Sequence, residues 1–196
     1  MPATGSALPA AVSWTRDSQG GLARHPAGYN MSAFRIRPVG RDDRNWIVEF
    51  LETQQGSTRV VRRGQIWLAH LLPGFAAFAG ECPVGLVTWQ AEGAAGEIMT
   101  IHSLREGQGI GSGLLAAVCE VALGEGCASL EMVLTNDNLQ ALRFCQKRGF
   151  QLVALHPGSL EEARKVKPDI PLFGQEGIPL RDELVLRLSL PESGNA

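Results

Sequence analysis

Tyrosine is almost missing from this chain: Tyr29 is the only one among 196 residues. A reaction that draws its proton from a phenol therefore has a single donor to call on. Long apolar runs are missing as well. None approaches the ~20 consecutive residues of a membrane-spanning helix, and the first residues lack the basic stretch and sustained apolar core of a secretory signal. The cysteines (Cys82, Cys119, Cys127, Cys145) form no CxxC pair, and the histidines (His25, His70, His102, His156) form neither HxxxH nor HExxH. That pattern speaks against a metal site and reads as reduced thiols in a cytoplasmic protein. Charge of one sign is not in excess either. A formal charge of −2 gives no general electrostatic reason to bind nucleic acid.

What the chain does contain is apolar residues at 44%, with 19% charged, a globular balance at a length suited to one domain and a tail. Glycine is plentiful, with 23 in 196 residues against a usual ~7%. Residues 1–33 are rich in Ala, Gly, Ser and Pro and read as a flexible leader. Met31, three residues before the first strand-like run, is a candidate for the native start, which N-terminal sequencing would decide. The structured pattern occupies 34–190 and leaves 191–196 as a tail.

Within it, Phe34 to Val39 alternates as a strand does, with Pro38 favouring an edge. Asp42 or Asp43 can cap a helix with Trp46, Ile47, Phe50 and Leu51 on one face. A second helix is expected over 58–72, closed by Pro73-Gly74. Strand-like runs follow at 74–78, 84–90 and 97–102, then a glycine-rich segment and an apolar helix through Leu114, Leu115 and Val118. Later strands contain Leu130, Met132 and Leu134, then residues 150–156, then Leu184, Leu186, Leu188 and Leu190. A helix opens at Asn136 or Asn138 and ends at Gly149. The fold class is mixed α/β: a sheet of six or seven strands with about four helices.

Glycines stand at every second position from Gly107 to Gly113, between a strand and an amphipathic helix. Such a segment can turn its N–H groups inward, and the helix N-terminus adds about half a positive charge. Its natural guest is a phosphate or pyrophosphate. A Walker loop is excluded, since no Lys lies between Arg105 and Gln146. The GxGxxG fingerprint fails too, because Ser112 and Leu114 stand where the third glycine belongs.

Gly107-Gln108-Gly109-Ile110-Gly111, followed by Leu114-Leu115, resembles the coenzyme A pyrophosphate loop of the GNAT superfamily of N-acyltransferases. The segment from Asn138 through Ala141, Phe144, Cys145 and Lys147 to Gly149-Phe150 is similar to that family's second motif. The resemblance implies a GNAT-like fold and an N-acetyltransferase that uses acetyl-CoA. Its partner would be a primary amine, preferably a small molecule, attacking directly in a ternary complex. A catalytically weak acyl-CoA-binding sensor is the alternative. Neither a metal, a nucleic acid nor a membrane is implied, and a homodimer is left open.

By the same resemblance, Ile101, His102 and Ser103 would line the pantetheine. Glu106, Gly107, Gln108, Gly109, Ile110, Gly111 and Ser112 would cradle the diphosphate. Asn138 would bond the pantetheine arm or simply cap its helix. The sequence departs from the family twice: Glu106 replaces the usual Gln or Arg, and Cys145 replaces a Tyr general acid. Glu97 is a candidate base, with a solvated strand-end carboxylate as the plainer alternative. Cys145 is open between small buried hydrophobe, general acid and acyl-carrying nucleophile. The late loop around 170–180 could wall an acceptor cleft or simply pack.

Overall fold

Ile47, Phe50 and Leu51 recur at helical spacing, whereas Leu184, Leu186 and Leu188 recur every second residue, and the chain forms a helix and a strand there accordingly. The protein is described by a computed structural model over residues 12–16, 22–26 and 34–191. In chain order it forms β1 (Val12–Arg16), β2 (Leu22–Pro26), β3 (Arg35–Pro38), α1 (Arg44–Gln55), β4 (Arg59–Arg62) and β5 (Gln65–Leu68). There follow β6 (Gly74–Ala79), β7 (Cys82–Glu92), β8 (Ala95–Ser103), α2 (Ile110–Gly124), β9 (Ser129–Thr135) and α3 (Leu139–Gln146). The last elements are β10 (Gln151–His156), α4 (Ser159–Val166) and β11 (Glu183–Ser189). Tyr29, Met31 and residues 192–196 lie outside the described residues.

Seven strands make one mixed sheet in the order β10-β11-β9-β8-β7-β6-β3. Every neighbouring pair is antiparallel except β8 and β9. β3 is an edge strand, which accommodates Pro38. The expected sheet size and helix number are both met. Within the segment read as a leader, β1 and β2 pair as a separate antiparallel hairpin.

The sheet is covered on both faces. On one, Leu114, Leu115 and Val118 of α2 and Cys145 of α3 pack with Val87, Ile98, Leu130, Met132 and Leu186. On the other, Ile47, Phe50 and Leu51 of α1 pack with Ala76, Phe78, Leu86 and Met99. Leu51, Leu86, Leu114 and Leu186 are fully buried, each worth about 1.5–3 kcal/mol of transfer free energy. Farther along the α1 face, Leu160 and Ala163 of α4 meet Leu180, with Val61 of β4 packed against them.

Asp43 precedes α1 as its N-cap. Its carboxylate accepts from Gly40 N, Arg37 Nη1 and Nη2, and Trp46 Nε1. The Arg37 guanidinium holds this carboxyl well below the usual carboxylate range.

The helix expected over 58–72 is not formed. Those residues make the β4–β5 hairpin and a 3-10 turn at 69–71. Arg63 and Gly64 both take positive φ, +50° and +75°, the two-residue turn that matches strand twist. The flanking Val60, Val61, Ile66 and Trp67 favour extended backbone over helix.

Candidate functional site

The two central parallel strands part company halfway. β8 and β9 pair only from Ala95–Ser129 to Ile98–Met132, although both continue, to Ser103 and Thr135. A wedge opens beyond that point, with Met99 to Ser103 as one wall and Val133 to Thr135 as the other. The β7–β8 ladder also slips between Thr88 and Trp89, which leaves Met99 as an extra residue on β8. This bulge resets the alternation. Met99 packs with the α1 cluster, and Thr100 bonds Thr88 through buried hydroxyls at 2.8 Å. Ile101 then turns to the α2 side, and His102 to α1.

At the wide end of β8 lies the glycine segment, whose four alternating glycines do two different jobs. Gly107 and Gly109 have φ of +72° and +82°, backbone that residues with a Cβ rarely adopt. Gly111 and Gly113 are helical and serve packing. A Cβ on Gly111 would come within 2.9 Å of the Phe144 ring, and one on Gly113 within 2.7 Å of Ile36 Cδ1.

Gly109 is the N-cap of α2 and has no side chain to cap it. The first helical bond is Gly113 N to Gly109 O. Among the described residues, nothing accepts from the N–H groups of Ile110, Gly111 and Ser112. Three open donors at the positive end of a helix dipole are the kind of group that can bind an anion. Ser112 is already held through its hydroxyl, to which Arg148 Nε donates at 3.1 Å. The Arg148 guanidinium also stacks over Phe144 at 3.7 Å.

Glu106 does not turn its carboxylate into this cradle. Its Oε1 accepts from Gln140 Nε2 of α3 at 2.6 Å. Asn138 caps α3, its Oδ1 accepting from Ala141 N at 3.0 Å. Among the described residues nothing accepts from its amide nitrogen, so the two readings of Asn138 are compatible.

Glu97 lies on the α1 face, one row before the bulge, paired with Gln90 on β7 and Glu131 on β9. Its Oε1 accepts from Arg62 Nε at 3.0 Å. Burial pushes its carboxyl up from the ordinary carboxylate range, while Arg62 and Arg63 pull it back. The plain alternative of a solvated strand-end carboxylate is thereby corrected: the Glu97 side chain is only 14% exposed.

His102 reaches toward α1 rather than the loop. Its Nε2 and Gln55 Oε1 are 3.0 Å apart, and its ring meets Phe50 edge-on. Burial lowers its imidazole to about 4, leaving it neutral near pH 7. Cys145 is 0% exposed, with its sulfur 3.3 Å from Met132 Sδ. Burial pushes this thiol up to about 12, the state of a small core side chain rather than a proton donor.

The late loop is tied to the same turn as Asn138. Asn136 donates to Pro179 O and accepts from the N–H groups of Arg181 and Asp182. Buried Asp137 accepts from Gln175 N at 2.8 Å. Gly174 lies against this carboxylate, with no room for a Cβ. Asp182 and Glu183, at the start of β11, are held by protein groups: Asp182 accepts from Gly158 N, and Glu183 lies 3.9 Å from Arg62.

Sequence reasoning missed Arg62 and Asp137. The only local signal for Arg62 was the Arg63-Gly64 turn that makes its hairpin. Asp137 stands between two asparagines that offer the same capping chemistry, so nothing in the sequence marks it out.

A family model described as the acetyltransferase (GNAT) family matches residues 43–150. The uncharacterized protein YdhI of Bacillus subtilis (strain 168) is 35% identical over 152 residues, covering 76% of this chain and 94% of YdhI. An IAA acetyltransferase from Bacillus cereus ATCC 14579 is similar in structure, with TM-score 0.64 at 23% identity, covering 80% of this chain and 99% of that one. A GNAT family acetyltransferase from Elizabethkingia anophelis, solved with acetyl-CoA bound, gives TM-score 0.58 at 18% identity, covering 81% and 99%. At these identities the two solved structures speak to the fold. Among the described residues, no helix is long and apolar enough to cross a membrane.

Proposed function

The chain belongs to the acetyltransferase (GNAT) family, and on that footing we propose that it transfers an acetyl group from acetyl-CoA to a primary amine, by direct attack in a ternary complex. The observation that carries this reading is the uncapped α2 N-terminus behind Gly107 and Gly109, set at the open end of the β8–β9 wedge. The N–H groups of Ile110, Gly111 and Ser112 would bind the diphosphate. The pantetheine arm would run along Ile101, His102 and Ser103, with the free amide of Asn138 bonding it across the wedge. Gln108 and Glu106 would flank the cradle. That Bacillus and Elizabethkingia proteins of this fold are acetyltransferases, one with acetyl-CoA bound, supports the donor.

The chemistry asks for a neutral amine, donors at the oxyanion, and a proton for the leaving sulfur. Glu97 would take the amine proton, directly or through water. The amine nitrogen bonds the thioester carbonyl carbon, and the oxyanion is met by backbone N–H near the Met99 bulge. Collapse breaks the C–S bond, and the electron pair leaves with sulfur. Solvent then protonates the thiolate, because buried Cys145 is not a ready donor. The free thiols of Cys82, Cys119, Cys127 and Cys145 support a reducing, cytoplasmic setting.

The test has two arms. Thermal stabilisation should be larger with acetyl-CoA or CoA than with ATP or NAD. CoA release should follow when a panel of small amines, peptide N-termini and lysine analogues is added. Stabilisation without turnover would favour a sensor module, and preferential stabilisation by ATP or NAD would reject the reading.

A further inference from the structure

The guanidinium of Arg62 ties together three parts of the molecule that the sequence keeps far apart. Its Nε donates to Glu97 Oε1 at 3.0 Å, its Nη1 to Val61 O at 2.9 Å, and its Nη2 to Val133 O at 3.3 Å. Val133 is the first β9 residue past the last pair with β8, so Arg62 holds the wedge wall with one edge and the carboxylate with another. Arg62 and Glu97 are 16% and 14% exposed. With its nitrogens committed, this arginine is placed to hold protein groups rather than to bind substrate. Glu97 Oε2, by contrast, receives no hydrogen bond from the described residues.

We infer that Arg62 is a positioning residue: it fixes Glu97 with one carboxylate oxygen occupied and the other open, and locks that arrangement to the wall of the wedge. The inference rests on the reading of Glu97 as base. It makes the β4–β5 hairpin, outside the main sheet, part of the reaction machinery.

Other charges face Glu97 as well. Arg63 lies in the hairpin turn, 3.7 Å from Glu92 and 3.6 Å from Glu131. Glu131 of β9 stands beside Glu97 and is paired with Arg187 of β11 at 2.6 Å. Glu183 of β11 approaches Arg62 at 3.9 Å, and Gln90 of β7 is uncharged. Arg62 is the only cation in hydrogen-bond contact with Glu97 among the described residues.

The test compares wild type, Arg62→Lys and Arg62→Met. Two readouts are followed: the pH profile of kcat/KM, and the carbon-13 titration of the Glu97 carboxyl, assigned by its loss in Glu97→Gln. Removing the cation destabilises the carboxylate, so its titration and the acid limb of the rate should both move up by about 1–3 pH units in Arg62→Met. Arg62→Lys should recover most of that movement while kcat stays reduced, because a lysine gives up the fork to Val133. In a Glu97→Gln background, Arg62→Met should cost little more. An unmoved Glu97 titration in folded Arg62→Met overturns the inference. Should Met at this position prevent folding, Arg62→Gln takes its place. The titration needs no turnover: a wild type that acetylates nothing sinks the base assignment, whereas the titration separately decides whether Arg62 governs Glu97.

Discussion

Gly113 of α2 and Ile36 of β3 fit so closely that a Cβ on the glycine would lie 2.7 Å from the isoleucine Cδ1. The contact is one of those that seat the helix behind the proposed anion site on the sheet. Gly113→Ala should therefore lose no more than about 1 kcal/mol of stability, since the Ile36 side-chain end can shift and alanine's helix preference offsets part of the overpacking. Ile36→Val removes the offending methyl, so the double variant should recover much of the loss. Denaturant unfolding of the two single variants and the double checks it; additive losses would contradict the contact.

Gly109, by contrast, is required for its backbone. At φ +82°, Gly109→Ala should cost about 1–2 kcal/mol of strain and weaken acetyl-CoA by tenfold or more. Calorimetric binding distinguishes this from the packing effect at Gly113. Unchanged affinity in a folded Gly109→Ala would dissociate the loop from the donor site.

Glu106 is bonded to Gln140 at 2.6 Å and still places a negative charge beside the proposed diphosphate. Glu106→Gln keeps a partner for Gln140 and removes the charge. Acetyl-CoA should bind about 2–10-fold more tightly, with the gain shrinking as salt is added. Weaker binding would show that the carboxylate organises the loop.

Cys145 should prove dispensable for chemistry. Cys145→Ala is expected to keep acyl transfer within about tenfold of wild type, since solvent can protonate the thiolate, while losing about 1–2 kcal/mol of stability through its cavity. In native labelling, exposed Cys82 should react first and buried Cys119 and Cys145 last. Loss of turnover with intact CoA binding would return the thiol to the mechanism.

His102 titrates at about 4 in the fold, against ~6.5 in an unfolded chain. Its folded value is lowered, so the neutral form favours the fold. That contribution is full above ~6.5 and fades as pH falls toward about 4. It is of order 3 kcal/mol at most. His102→Gln should flatten the fall in denaturant midpoint between those pH values. An unchanged slope would place the acid sensitivity elsewhere.

The elements carrying strong periodicity were legible: the strand before the loop, α2 with its apolar face, and the alternating leucines of β11. So was the glycine loop, since only a few arrangements put glycines directly before a helix. Residues 58–72 form a hairpin where a helix is expected, because apolar spacing in a short stretch cannot separate the two and the Arg63-Gly64 turn is the deciding detail. The β8 bulge was not readable at all. It is a property of pairing with β7 and decides that His102 faces α1. Arg62 acts on Glu97 across 35 residues, a contact that exists only after the hairpin folds over the sheet. Even the four loop glycines, alike in sequence, divide by φ and packing into two pairs that spacing could not distinguish.

The most direct test of the whole account is the product itself. Protein, acetyl-CoA and the amine panel should yield an acetylated amine and an equal amount of CoA, followed by mass spectrometry and thiol release. Glu97→Gln should form that product about 100-fold more slowly or worse, with acetyl-CoA affinity unchanged. Full turnover by Glu97→Gln, or tight acetyl-CoA binding with no amine acetylated, would contradict it.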